Sequence, residues 1–229
     1  MAGILALVGS GEFTDEVIDI DEFILSKTKN PKVAILATAA GREKAYQKWV
    51  EDGISHFKKL KTFAAGIDIK NSEDTNNPHI EKELDKFNIY YFSGGDPGYL
   101  LDTTKDSFAW KTIIKNYQNG AAIIGCSAGA MIMGKKVWAR VYDYLNKGIM
   151  LPWEPGHNLA HYGIIPHFGE VKKDFIEKKL EELLKNLPKD SQVIGIEENT
   201  AYIKINNKWL IKGRGKVHIP AFDLTQKHG

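Results

Sequence analysis

Short runs of apolar residues alternate along most of this chain with longer stretches in which apolar residues recur every three or four positions. Four of the runs predict buried strands, at residues 4–9, 32–37, 88–92 and 121–125. The stretches between them predict amphipathic helices, at residues 15–26, 43–59, 80–87 and 99–118. Because strands that alternate with helices pair in parallel and carry helices on both faces, we expect an α/β three-layer sandwich with a mostly parallel central sheet.

The pattern changes in the last third of the chain. One long helix is predicted at residues 172–187, with its charged face in solvent. Shorter alternating runs at residues 201–205, 208–212 and 216–219 predict strands, and Asn206-Asn207 provides a tight turn between the first two. These strands are expected to extend the sheet in antiparallel fashion, so residues 1–229 are predicted to form a single domain.

Composition narrows the class of protein. The chain has 229 residues, of which 43% are hydrophobic, enough for one well-buried domain. Its net charge of +2 arises from 31 basic and 29 acidic residues spread along the sequence, so we expect neither a nucleic acid nor a membrane surface as partner. The apolar residues 4–8 are too few for a signal peptide. A single cysteine excludes an intrachain disulfide, which favours a cytoplasmic location.

The most specific motif follows the predicted strand at residues 121–125. Residues 125–129 have the pattern Gly-x-Ser-x-Gly, with Ser127 at its centre and a proline-free helix predicted after it. A serine on such a strand-to-helix turn is a nucleophile elbow, and the Ala128 N–H would face a developing oxyanion together with the positive end of the helix dipole. The structural alternative is an ordinary glycine-rich turn.

Other predicted strands end in loops that would meet this serine. Ligands of parallel sheets collect beyond the carboxyl ends of the strands, where residues 9–12, 37–41 and 93–96 are predicted to lie. The glycine pair Gly94-Gly95 would let backbone N–H groups approach a substrate, as a second oxyanion donor requires. A tight turn without a catalytic role is the alternative for this pair.

A serine nucleophile needs a base, and the best placed of the seven histidines is His167. It lies in an apolar run at residues 164–169 that Pro166 interrupts. The alternative is a partly buried histidine held by a backbone carbonyl. A zinc site using His157, His161 and His167 is disfavoured, because Asn158 stands where the zinc motif has glutamate. We therefore predict no metal and no cofactor.

Four segments together resemble the serine peptidase family that contains aspartyl dipeptidase (peptidase E) and cyanophycinase. They are Gly94-Gly95-Asp96, residues 125–130, Pro166-His167-Phe168 and residues 195–201. The resemblance implies a fold similar to class I glutamine amidotransferases, with a serine in place of their cysteine. It also implies Ser127 as nucleophile, His167 as general base and acid, and Gly95, within the Gly94-Gly95 pair, with Ala128 as oxyanion donors.

The resemblance leaves the third catalytic residue open between two carboxylates. Glu198 matches the acid of the cyanophycinase pattern, and Asp143 lies at a distance after the serine similar to that of the acid in aspartyl dipeptidase. Either could orient the imidazole and stabilise its charged form. We favour Glu198.

Substrate specificity is the least determined property. Arg140 is the candidate cation for an acidic substrate residue, and Asp96 of the Gly-Gly-Asp segment is a second candidate substrate-binding residue. Pro97 stands where the cyanophycinase pattern has glutamine. The expected activity is hydrolysis of short peptides, with Asp at the scissile bond, by a monomer or homodimer. The alternatives are an esterase or acyl transferase using the same serine, or a catalytically silent binding protein of the same fold.

Overall fold

The computed structural model describes residues 3–170, 183, 185–187 and 191–219. These residues form twelve strands: β1 (Leu5–Val8), β2 (Lys32–Leu36), β3 (Phe63–Gly66), β4 (Ile89–Phe92), β5 (Ala122–Cys126), β6 (Gly134–Val137), β7 (Glu154–Pro155), β8 (Ala160–Ile165), β9 (Gln192–Ile196), β10 (Thr200–Ile205), β11 (Lys208–Gly213) and β12 (Val217–His218).

Eight α-helices lie between these strands in the part of the chain that the structure describes. They are α1 (Ile18–Lys27), α2 (Tyr46–Lys59), α3 (Ser72–Thr75), α4 (Ile80–Leu84), α5 (Pro97–Thr104), α6 (Phe108–Gln118), α7 (Ala128–Ile132) and α8 (Val141–Lys147). Two 3₁₀ turns, Asp15–Val17 and Thr38–Ala40, follow the first and second strands. None of the helices in the described ranges is long and apolar enough to cross a bilayer.

The main sheet has seven strands in the order β11-β10-β1-β5-β4-β2-β3. The five from β1 to β3 in this order are parallel, and β10 and β11 pair in antiparallel fashion at one edge. Asn206 and Asn207 both have positive φ, at 51° and 59°, as the predicted tight turn between β10 and β11 requires. The predicted α/β class, with a mostly parallel central sheet and an antiparallel carboxyl-terminal extension, is confirmed.

Alternate residues of each central strand face opposite sides of the sheet, and each side has its own hydrophobic core. In β1, Leu5 and Leu7 join the core that contains residues of α4 to α7. Ile4, Ala6 and Val8 join the core that contains residues of α1 and α2. Burial on both faces explains why the central strands are continuous apolar runs rather than alternating ones. The predicted three layers therefore correspond to helices, sheet and helices.

A second sheet, absent from the sequence-based prediction, has the order β12-β9-β8-β6-β7. Residues 216–219 were expected to extend the main sheet, and this was wrong: Val217 pairs with Ile196 of β9 instead. The strand β8 pairs in parallel with β9, from Tyr162 opposite Gln192. Hydrophobic periodicity indicates a strand but not its partner, so the existence of a separate sheet could not be derived from it.

The helix predicted at residues 99–118 is two helices, and the single-helix prediction was wrong. Asp106, between α5 and α6, has a φ of 58°, which no α-helix accommodates. Ser107 then caps α6, because its hydroxyl oxygen accepts a hydrogen bond from the Trp110 N–H at 3.1 Å. The predicted helix at residues 172–187 lies almost wholly outside the described residues.

The topology brings three loops together at one edge of the main sheet. The parallel strands β1, β5 and β4 are neighbours, with Val8 opposite Cys126 and Phe92 opposite Gly125. Their carboxyl ends therefore lie side by side. The loops that follow these strands begin at Gly9, Ser93 and Ser127, and they build the site described next.

Candidate active site

Ser127 occupies a backbone conformation that serine rarely adopts. It joins β5 to α7 with φ 52° and ψ −114°, and its N–H donates a hydrogen bond to the Val8 carbonyl at 3.0 Å. The flanking glycines make this turn possible, because a Cβ on Gly125 would lie 2.4 Å from the Gly129 oxygen. A Cβ on Gly129 would lie 2.3 Å from the Phe92 oxygen. This is the strand, turn and helix geometry of a nucleophile elbow.

His167 faces the serine from the second sheet. It follows β8 and Pro166, has a φ of 52°, and its N–H donates to the Gly9 carbonyl at 3.3 Å. Its Nε2 lies 2.9 Å from the Ser127 Oγ, within hydrogen-bonding distance. The two side chains are partly accessible and border one cavity. The structure thus brings together the two residues that the sequence predicted as nucleophile and base.

Of the two candidate acids, Glu198 is the one near His167. A ring nitrogen of His167 and carboxylate oxygens of Glu170 and Glu198 all lie within 4.8 Å of one another. Oε1 of Glu198 accepts a hydrogen bond from the Glu170 N–H at 3.1 Å. Asp143 instead pairs with Lys147 one turn along α8, at 2.8 Å.

The neighbouring carboxylate, Glu197, points to a different partner. Its Oε1 lies 2.8 Å from Nε2 of His218, and its Oε2 accepts the Lys216 N–H at 2.9 Å. The hydrogen bond with His218 is the largest cause of a lowered pKa at the Glu197 carboxyl. Glu197 is thereby engaged by β12 and the segment before it, while Glu198 remains on the His167 side of the turn.

Two backbone N–H groups next to Ser127 are available to a substrate oxygen. Gly95 and Ala128 both border the cavity, and neither N–H donates to a protein acceptor among the described residues. Gly95 has a φ of 136°, and a Cβ there would lie 2.6 Å from the carbonyl carbon of Ala39. The Gly94 N–H differs, because it already donates to Oε1 of Glu12 at 2.7 Å. Geometry therefore separates the predicted pair Gly94-Gly95 into one occupied and one open donor.

Glu12 is a site residue that sequence reasoning missed. Its Oε1 holds the Gly94 N–H, and its Oε2 accepts the Cys126 thiol at 3.1 Å, so one carboxylate links the loop after β4 to the end of β5. Burial, followed by the negative charge of Glu12, raises the pKa of the Cys126 thiol well above its ordinary value. The only sequence signal was a charged residue in the glycine-containing loop after the first strand.

The two predicted substrate-binding residues have structural partners. Oδ1 of Asp96 caps α5, accepting the Gly98 and Tyr99 N–H groups at 2.9 and 3.0 Å. Arg140 binds Asp102 through two hydrogen bonds of 2.9 Å, and its Nε donates to Glu154 at 2.8 Å. The charge of Arg140 is therefore balanced by two carboxylates. Its assignment to a substrate carboxylate stays a prediction.

The three histidines of the disfavoured zinc motif lie in different surroundings. His157 stacks on Trp110 with ring centroids 3.6 Å apart, and its Nε2 lies 2.9 Å from the Thr104 hydroxyl. Burial lowers the pKa of His157 to about 3, so this ring is neutral at physiological pH. His161 is exposed on β8, whereas His167 faces Ser127. Among the residues that the structure describes, these three do not form a common set of ligand atoms.

Comparisons with known proteins identify the family of this chain. The profile of peptidase family S51 matches residues 5–212. An uncharacterised peptidase of Listeria innocua is 27% identical over 75% of this chain and 80% of its own length. A second, from Pasteurella multocida, is 25% identical over 84% of this chain and 94% of its own length.

Two solved structures have the same fold. A peptidase from an acI-B1 Actinobacterium is 32% identical, with a TM-score of 0.82 over 96% of this chain and 91% of that one. A putative peptidase E protein from Listeria monocytogenes, at 22% identity, has a TM-score of 0.69 over 94% of this chain and 100% of that one. The match to the family profile covers nearly the whole chain and includes the Ser127 elbow and His167. The protein therefore belongs to peptidase family S51, a family of serine-type peptidases.

Proposed function

We propose that this protein hydrolyses short peptides through an acyl-enzyme on Ser127, with His167 as base and a carboxylate as the third member of a triad. The observation that carries the proposal is the 2.9 Å separation of the Ser127 Oγ and His167 Nε2, with Ser127 held at a φ of 52°. A strained backbone that aims a hydroxyl at an imidazole, on a sheet edge open to a cavity, is typical of an activated nucleophile.

In the first half-reaction, His167 accepts the Ser127 proton at Nε2 while Oγ forms a bond to the scissile carbonyl carbon. The carbonyl oxygen becomes an oxyanion between the N–H groups of Gly95 and Ala128. Both donors are in place before the substrate arrives, so they cost little reorganisation as charge develops. When the C–N bond breaks, His167 returns the proton to the leaving amine.

In the second half-reaction, water replaces the amine. His167 removes a proton from the water, whose oxygen attacks the ester carbonyl of the acylated Ser127. The same two N–H groups hold the second oxyanion. Collapse of that intermediate breaks the ester bond, and the serine regains its proton from His167.

Glu198 completes the proposed triad. A carboxylate beside the imidazole holds the proton at Nδ1, which leaves Nε2 free to accept from the serine, and stabilises the imidazolium that forms. A Glu198 carboxylate oxygen and a His167 ring nitrogen lie within 4.8 Å of each other, and no hydrogen bond joins these two side chains among the described residues. In unliganded sites such contacts are commonly loose and shorten once the substrate is bound.

The test is covalent labelling followed by intact-mass spectrometry. The wild-type protein and the Ser127→Ala and His167→Ala variants are treated with a small fluorophosphonate. One adduct on the wild type, lost in both variants, supports an activated serine. A folded wild-type protein that takes no adduct contradicts the proposal. Short peptides and nitrophenyl esters are then compared as substrates, because a protein that cleaves only esters is an esterase.

A further inference from the structure

The cavity next to Ser127 is lined mostly by apolar side chains among the residues that the structure describes. It has a volume of about 220 Å³ and includes Ser127 and His167 at one end. The remaining walls are dominated by hydrophobic side chains of α7, of α8 with the segment before it, and of β8, among them Met131, Trp138, Val141, Leu145, Ile164 and Ile165. Apart from His167, no described wall residue has an ionisable acidic or basic group other than the phenol of Tyr142.

Charged groups close to the cavity in sequence are committed to other partners. Asp96 caps α5, Arg140 pairs with Asp102 and Glu154, and Asp143 pairs with Lys147. A carboxylate that entered the cavity would lose its water and meet no free cation among the described wall residues. Burial of an unpaired charge is strongly unfavourable, whereas burial of an apolar side chain is favourable.

The position of the cavity indicates which part of a substrate would occupy it. Gly95 and Ala128, the proposed oxyanion donors, belong to its wall, so a carbonyl oxygen placed between them brings the attached side chain to its mouth. The volume is below the roughly 300–1,000 Å³ typical of sites for drug-sized ligands. It therefore fits one side chain rather than a large ligand.

Building on the serine mechanism proposed above, we propose that this cavity binds an aliphatic or aromatic side chain of the substrate residue that supplies the scissile carbonyl. The protein would then cleave after leucine- or phenylalanine-like residues in preference to aspartate. The hydrophobic cavity, and not Arg140, would determine specificity.

The experiment uses phosphonate inhibitors that carry different side chains. Diphenyl α-aminoalkylphosphonates react when the serine Oγ bonds to phosphorus and a phenoxide leaves with the serine proton, which His167 transfers. Analogues of leucine, phenylalanine, alanine and aspartate share one leaving group, so their second-order inactivation rates report the side-chain preference alone. One methylene in an apolar pocket changes such rate constants by about 10- to 200-fold. The aspartate analogue lacks apolar contact and must also bury its carboxylate, so we expect the rate constant of the leucine analogue to exceed that of the aspartate analogue by at least about 100-fold.

Two variants tie the preference to this cavity. Leu145 borders it with 58% of the residue exposed, so Leu145→Arg adds a cation at the mouth without disturbing the core. The added cation removes apolar contact for leucine and offers a partner to the aspartate carboxylate. We therefore expect the ratio of the leucine to the aspartate rate constant to fall about tenfold or more, the effect of losing about one methylene of apolar contact. The matched control is Ile211→Arg, since Ile211 is 50% exposed on β11 and is not among the described residues of the cavity wall. The ratio should be unchanged in that variant.

The fluorophosphonate, which has no amino-acid side chain, separates the two proposals. If it labels Ser127 but the aspartate analogue reacts as fast as the leucine analogue, the specificity proposal is overturned and the proposed function stands. A ratio that Leu145→Arg leaves unchanged also overturns the assignment to this cavity. If the fluorophosphonate does not label a folded protein, the proposed function itself fails.

Discussion

Two histidines in this protein have a hydrogen-bonding partner at nearly the same distance, yet they occupy opposite environments. Nε2 of His167 lies 2.9 Å from the Ser127 hydroxyl, and Nε2 of His56 lies 2.8 Å from Oδ2 of Asp21. The His56–Asp21 pair joins α2 to α1, and each side chain is only 1% exposed. The Ser127–His167 pair lies on loops beside a cavity.

The backbones differ as much as the exposure does. Asp21 and His56 are within regular helices, whereas Ser127 and His167 both have a φ of 52°. The ring of His56 is enclosed by Phe13 and Phe57, with centroids 6.1 and 5.1 Å away. Loops on a rigid scaffold commonly carry functional residues, and strained backbone is concentrated at functional sites. Hydrogen-bond length alone therefore does not separate the histidine proposed as catalytic base from a structural one, but access and backbone conformation differ between the two.

The largest effect on rate is expected from Glu198, the carboxylate proposed to hold His167 as Asp21 holds His56. Glu198→Gln should lower kcat/KM on the order of 10³- to 10⁴-fold, because the imidazole would lose the anion proposed to fix its tautomer and stabilise its charge. Asp143→Asn should change kcat/KM less than about threefold, since it removes only a solvent-accessible ion pair with Lys147. Steady-state kinetics on a peptide substrate provide the measurement. The opposite ranking would make Asp143 the third catalytic residue.

Breaking the buried pair should affect stability instead. Asp21→Ala leaves His56 without its partner in the interior, and we expect the free energy of unfolding to fall by about 3–5 kcal/mol. Burial is the largest cause of the raised pKa of the Asp21 carboxyl. Urea unfolding measures the loss. Fluorophosphonate labelling per folded molecule should be unchanged, because neither residue borders the cavity.

A double variant tests whether the cost comes from the orphaned partner. Asp21→Leu with His56→Leu removes both polar groups, and buried ion pairs replaced by apolar residues often retain or gain stability. We expect this variant to recover much of the loss. If it is as unstable as Asp21→Ala with the fold otherwise intact, the pair itself, and not an unpartnered histidine, accounts for the stability.

Glu12 is expected to have an intermediate effect on rate, because it contacts the Gly94 N–H and the Cys126 thiol next to the proposed site but not Ser127 or His167 themselves. Glu12→Ala releases the Gly94 N–H, so Gly95 loses the anchor beside it. We expect kcat to fall about 10- to 100-fold, less than the roughly 10²- to 10³-fold for outright loss of an oxyanion donor, with KM nearly unchanged. Glu12→Gln should restore most of kcat, since its amide oxygen can still accept the Gly94 N–H.

A control variant separates this effect from general damage to the loop. Glu16 lies in the same segment and pairs with Arg214 at the surface. Glu16→Ala should leave kcat within about twofold of the wild type, because exposed ion pairs contribute little. If Glu12→Ala lowers stability but not kcat per folded molecule, Glu12 is only a structural residue.

The parts of this protein that sequence predicted well depend on local information. The strands β1, β2, β4 and β5 are continuous apolar runs, since both of their faces are buried. The elbow at Ser127 was predictable because its two glycines are required by contacts within one turn and its neighbouring strand. The position of His167 next to Ser127 was predictable because it follows an apolar run broken by proline, where a loop next to the serine was expected.

The parts that were missed depend on contacts between distant segments. β3, Phe63–Gly66, lies at the edge of the main sheet and has no fully buried residue, so its apolar signal is weak. Glu12 meets Cys126 across 114 positions of sequence, and no periodicity encodes that contact. The contact of Glu197 with His218 likewise requires the pairing of β12 with β9, which local patterns did not predict. Local patterns thus predicted the elements, while the wiring of the site required the fold.

The Glu197–His218 pair sharpens the comparison at its weak end, because it is a histidine–carboxylate contact of 2.8 Å that is neither buried nor reactive. Its side chains are 27% and 25% exposed, and His218→Ala should lower the free energy of unfolding by less than about 1 kcal/mol at neutral pH.

The hydrogen bond to His218 lowers the pKa of the Glu197 carboxyl below its ordinary value of 4.5. A carboxyl whose pKa is depressed in the folded state stabilises it above its unfolded pKa, and this contribution disappears as pH falls through the depressed value. The difference between wild type and His218→Ala should therefore shrink below pH 4.5 in urea titrations, and a double-mutant cycle with Glu197→Gln should show non-additive losses. A difference that persists unchanged at low pH would mean that His218 stabilises the fold through its contact with Phe168, whose ring centroid lies 4.7 Å away, rather than through the carboxylate.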